Sequence, residues 1–91
     1  MKVLFLKSEK PEKRMKAVFD GKKTVHFGQK GASTYLEHRD TKIKRAWEAR
    51  HIVREDWNNP LSAGALSKWV LWNKTTLEAS IKSFKKKFNM T

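Results

Sequence analysis

The chain contains no cysteine. No disulfide or thiolate metal site can staple it, and the lack fits a reducing compartment. Long apolar runs are missing too. Val3–Leu6 is too short for the core of a signal peptide, and nothing approaches the ~18 apolar residues of a membrane span. There are no internal repeats and no low-complexity tail. Acids are scarce: nine Asp and Glu stand against 21 Lys and Arg, a formal charge of +12. Such an excess attracts nucleic acid, an anionic membrane surface or an acidic protein, and charge alone does not choose among them.

Recognisable catalytic and metal patterns are also lacking. His51 and Glu55 are spaced i,i+4, but a metal needs three or four ligands, and no HExxH-like spacing exists. His38-Arg39-Asp40 spells the HRD of a kinase catalytic loop. Arg45 stands where that loop needs Asn, and 91 residues cannot hold a kinase. Gly28-x-x-Gly31 with Lys30 lacks the strand-to-helix context and GK[ST] ending of a phosphate loop. Its simpler role is to let the chain leave a hairpin at unusual backbone angles. His26, His38, His51, Asp40, Glu55 and Asp56 supply acid–base material without a nucleophile–base arrangement. A small nuclease is therefore the distant alternative, and the expectation is a non-enzyme with no cofactor, metal or small-molecule substrate.

What is present reads as one small α+β domain spanning 1–91, with a β-hairpin region at 2–28 and a helical region at 40–88. A chain of this size buries only roughly 60–65% of its unfolded surface. Its ten aromatics supply much of the possible core, at about 150–250 Å² each. Lys2–Leu6 reads as a strand, and Met15–Phe19 alternates. Asp20-Gly21 signals a tight turn, and Thr24–Phe27 returns. A hairpin alone is marginal in water, so its apolar face must pack on helices. Tyr35-Leu36 fits either a third strand or a helical turn. Asp40 caps a helix from Thr41 to about Arg54. Ser62 caps a second, Ala63–Trp72. Thr75-Thr76-Leu77-Glu78 fits a capping box for a third, about Thr76–Phe88, with Leu77, Ile81, Phe84 and Phe88 as its apolar stripe.

The stretch Arg45–Trp57 organises the rest. On a helix Ile43, Ala46, Trp47, Arg50, Arg54 and Trp57 share one broad face. A face mixing Trp and Arg is either a core closed by buried ion pairs or a surface that meets an anionic partner. Its charge is nearly balanced: residues 33–57 hold six cations against five acids, while 1–32 hold nine against three and 58–91 six against one. The expectation is an internal spine. Trp47, Trp69 and Arg50 are structural, with Arg50 pairing acids such as Glu37, Glu55, Asp56 or Glu78. Arg54, Trp57 and Trp72 reach outward as partner anchors. Lys22 and Lys23 on the hairpin, and Lys82, Lys85, Lys86 and Lys87 on the last helix, make non-specific anion contacts, because lysine lacks a bidentate fork. Those lysines could equally be a plain solvated face.

Several phrases occur together: Thr24-Val25-His26-Phe27-Gly28, Tyr35, His38-Arg39-Asp40, Arg50-His51, Glu55-Asp56-Trp57, Ser62-Ala63-Gly64, Ser67-Lys68-Trp69 and Leu71-Trp72-Asn73-Lys74. In this order, over about residues 15–88, the set resembles a family of small basic proteins of large nucleocytoplasmic DNA viruses. The resemblance implies a viral setting and supplies no catalytic residues. With the charge, it leads to an expected structural role in the virion, as a minor capsid or cement component binding acidic capsid proteins. The alternative is a non-specific nucleic-acid-binding module, in the particle or in the host cytoplasm or nucleus. The sequence leaves the oligomeric state open.

Overall fold

A computed structural model describes all 91 residues. Three strands, β1 (Val3–Lys7), β2 (Lys13–Phe19) and β3 (Lys23–Gln29), form an antiparallel sheet in that order. Asp20 and Gly21 take φ of 53° and 67°, the pair of positive angles that a type I′ turn requires. The Lys22 amide closes the turn on the Phe19 carbonyl at 3.0 Å. The register places Met15 opposite Phe27 and Phe19 opposite Val3. One face therefore buries Val3, Met15, Ala17, Phe19 and Phe27, while Leu4, Leu6, Lys16, Thr24 and His26 alternate to the other.

Four helical elements cover the buried face: α1 (Tyr35–His38), α2 (Thr41–His51), α3 (Ala63–Leu66, continuing as a π-helical turn over Ser67–Leu71) and α4 (Leu77–Lys87). The fold is α+β, as expected, with a full third strand and a helical turn at Tyr35. The core joins the sheet to Leu66, Val70, Leu71 and Trp72 of the α3 region and to Phe84 of α4. Phe5 meets Phe84 edge-on at 5.4 Å. Gly28 is fixed by this packing: its φ is +79°, and a Cβ there would lie 2.7 Å from Leu71 Cδ1.

Several boundaries differ from expectation. The helix begun by Asp40 stops at His51, because the Arg54 amide tightens back to the His51 carbonyl at 3.1 Å. Asp40 caps it as expected, accepting from the Lys42 amide at 2.9 Å. The α4 cap is Thr76, whose hydroxyl accepts from the Ala79 amide at 3.2 Å. Glu78 is then one position too early for the box expected with Thr75. Leu77 is 38% exposed, and its place on the inner stripe is taken by Ser80, fully buried with its hydroxyl accepting from the Lys74 amide.

The corresponding link is at α1. Glu37, three residues after Thr34, accepts from both the Thr34 amide and hydroxyl at 2.8 Å. It also receives a two-pronged bond from Arg14 of β2 at 2.8 and 2.6 Å. That bond holds the Glu37 carboxyl down to about 2 and raises Arg14. It ties the sheet to α1. No helix is long and apolar enough to cross a membrane.

Candidate functional site

α2 lies on the rim of the fold, with no fully buried residue. Its inner side carries Lys44, Trp47, Glu48 and His51, all partly buried. Trp47 is the centre of an aromatic stack: Trp72 lies 4.8 Å away at 9°, His51 4.3 Å at 24°, and Trp57 6.2 Å at 2°. Trp69 holds the stack from behind, its indole N–H donating to the Trp57 carbonyl at 2.7 Å. Trp47 and Trp69 thus sit in the packing, as expected.

Of the two tryptophans expected as outward anchors, Trp72 is buried and Trp57 is partly exposed. Trp72 is 7% exposed, because the π-helical turn before it adds a residue and rotates the chain's next side chain onto Trp47. Trp57 is half-buried beside Trp47, with its indole N–H donating to Glu55 at 3.2 Å.

A buried lysine, absent from the sequence-based candidates, completes this layer. Lys68 lies 4.6 Å over the Trp69 ring and 5.4 Å over the Trp57 ring, and 2.7 Å from Glu48. Glu48 also takes Lys44 at 2.7 Å. Burial pushes the Lys68 ammonium down, and Glu48 pulls it only part of the way back. Burial works to raise Glu48, but its hydrogen bonds from Lys44 and Lys68 outweigh that and leave it low. One carboxylate between two ammoniums gives this result: the local charge is positive, which favours the anion and disfavours the second cation.

The acids of the central stretch are engaged by near neighbours, Glu48 and Glu55 half-buried and Asp56 exposed. Glu48 faces the two lysines. Glu55 serves Trp57 and lies 3.5 Å from His51. Asp56 accepts from the Asn58 amide at 3.0 Å. Arg50, expected as an internal tie, is exposed instead, and none of Glu37, Glu55, Asp56 and Glu78 pairs with it. Arg39, Arg45, Arg50 and Arg54 are all exposed, and none has a carboxylate within 4.0 Å. Only Arg14 among the five arginines is paired. At the surface of this stretch Arg39, Lys42, Arg45, Arg50 and Arg54 outnumber the exposed acids Glu37, Asp40 and Asp56.

The lysine candidates are dispersed. Lys22 and Lys23 are exposed at the hairpin tip, a strand length of roughly 20 Å from the sheet end near α2. On α4, Lys82, Lys86 and Lys87 are exposed, and Lys85 is half-buried. Lys87 lies 4.5 Å over the Trp69 ring, bringing the end of α4 to the aromatic layer.

A cleft of about 830 Å³ opens between α2, α3 and the sheet end at Lys13 and Gln29. Its charged lining mixes Glu12 and Glu55 with Lys13 and Arg50, so it has no strong polarity of its own. Ser8 and His26 are joined at 2.8 Å, with Glu9 4.0 Å from the far ring nitrogen. The Ser8 hydroxyl also accepts from the Lys10 amide at 3.1 Å, and Ser8 is only 7% exposed. It closes a turn and offers no accessible nucleophile.

Comparison with known proteins adds to this geometry. A family of unknown function, DUF5754, matches residues 3–51, which include the sheet, α1 and α2. The chain belongs to that family. It is 34% identical over 76 residues to "Uncharacterized protein L851" of Acanthamoeba polyphaga mimivirus, covering 72% of this chain and 76% of the relative. The relationship is thus to a protein of a large nucleocytoplasmic DNA virus, in line with the resemblance read from the sequence. No solved structure matches.

Proposed function

We propose that this protein is a non-enzymatic, nucleic-acid-binding structural protein of a large DNA virus. The observation that carries the reading is the pairing of charge around α2: Glu48 and Glu55 are half-buried and engaged by neighbours, while four exposed guanidinium groups pair with no carboxylate. Guanidinium forks match phosphate geometry, and the overall charge of +12 adds long-range attraction. The burial of Trp72 weakens the capsid-cement reading, which relied on it and Trp57 as anchors. Gel retardation and fluorescence anisotropy with duplex DNA test the proposal. Affinity should fall about 10³-fold or more between 50 and 200 mM salt if six or more phosphates are contacted. Absence of binding at 50 mM salt would end it.

A second reading, a minor capsid or cement component, is favoured by a separate feature. Leu4 and Leu6 are 56% and 40% exposed on the uncovered sheet face. Leu6 and Leu77 also line an apolar hollow of about 390 Å³ with Phe5 and Met15. Stoichiometric, symmetry-related copy number in purified particles would support this reading, whereas copy number scaling with packaged genome would support the first.

A further inference from the structure

We propose that the outer face of α2 seats in the major groove of duplex DNA, with Arg45 and Arg50 on opposite groove walls. This rests on the nucleic-acid reading and specifies its face and its partner. At 3.6 residues per turn, Lys42, Ala46 and Ala49 form one outward row, and Arg45 and Arg50 lie about 70° to either side of it. All five are exposed. Two small side chains along the middle let the helix backbone approach closely. A cation on each flank suits a partner with two anionic walls, which a single acidic patch on a protein does not offer. The B-form major groove is about 12 Å wide and admits one helix. Thr41–His51 has 11 residues, about 16 Å, enough to follow four or five base pairs.

The ends of the helix fit the same arrangement. Asp40 caps the N-terminus with its own carboxylate, so backbone amides there are taken and side chains must make the phosphate contacts. Arg39 precedes that cap and Arg54 follows the last turn, both exposed, extending the cationic flanks. Val53, 78% exposed just past the helix, adds an apolar group at this end, of the kind that can meet a thymine methyl. A-form RNA has a deep, narrow major groove that excludes a helix, so the surface should discriminate between the two duplexes.

The experiment is anisotropy with a 20-base-pair DNA duplex, the matching RNA duplex and anionic lipid vesicles, at several salt concentrations. The proteins are the wild type, Arg45→Ala/Arg50→Ala, Ala49→Glu and Lys82→Ala/Lys86→Ala. The arginines have no carboxylate partners in the fold, so the double variant should keep its circular dichroism and melt no lower than the wild type. Expected are binding to DNA well above RNA and vesicles, a loss of about tenfold or more in both α2 variants, and a salt slope lower by about 2 in the arginine pair. The lysine pair should lose less. DNA binding that survives both α2 variants, or equal affinity for duplex RNA or vesicles, overturns this proposal and leaves general nucleic-acid binding standing in the first case. No binding to any nucleic acid at 50 mM salt overturns both.

Discussion

At the scale of single residues, Lys68 and Glu48 show why a buried charge must be judged by what it would leave behind. Removing Glu48 strands an ammonium between two indoles, whereas removing Lys68 leaves Glu48 paired with Lys44. Glu48→Ala should therefore cost about 3 kcal/mol in urea unfolding, and Lys68→Met less than about 1 kcal/mol, since an apolar replacement of like size satisfies the site. Equal losses would mean that Lys68 contributes through more than this pair. Glu37 makes a pH prediction. Its carboxyl falls from 4.5 to about 2 on folding, so the folded state holds fewer protons there than the unfolded chain within that window. The stability it provides is complete above pH 4.5 and is lost as pH falls toward 2. The difference in unfolding free energy between wild type and Glu37→Gln should shrink across that range. A difference that stays constant would argue against the Arg14 bond as its source.

At the scale of elements, the sheet was readable because two independent signals agree: alternating side chains and an Asp-Gly turn. The helices were readable through their caps, Asp40 and Ser62, which lie where short polar side chains meet orphan amides. The α4 start was off by one because Thr75 and Thr76 are both competent caps and only packing selects between them. Thr76→Ala should cost about 1 kcal/mol of stability, and Thr75→Ala almost nothing. The reverse result would restore the Thr75–Glu78 box. The Thr34-x-x-Glu37 pattern carried the same kind of signal for α1 and could have identified that turn. The π-helical turn over Ser67–Leu71 had no such signal. It reflects the fit of Leu71 against Gly28 and of Trp72 against Trp47, which are contacts far apart in sequence.

For the whole molecule, the four ion pairs of lysine and arginine with glutamate do not offset the cationic excess. Self-repulsion should dominate its response to salt. Raising ionic strength from about 20 to 200 mM, where the Debye length falls below roughly 10 Å, should raise the melting temperature while weakening DNA binding. A melting temperature that falls with salt would mean that the ion pairs outweigh the repulsion. The two opposite trends in one buffer series would separate the charge that destabilises the fold from the charge that serves binding.

The class of fold, the order of its elements, most of the caps and the net charge were legible in the amino-acid order, because they follow from local periodicity and from counting. Which way each charge faces was decided only by the tertiary structure. Along Arg45–Trp57 arginines and acids alternate too closely for sequence to separate them. The buried Lys68 draws Glu48 inward, since an anion near a buried cation is stabilised there, Trp57 engages Glu55, and the arginines are left to the solvent. The same packing turned Trp72 from an expected anchor into part of the core and left Trp57 half-buried beside Trp47.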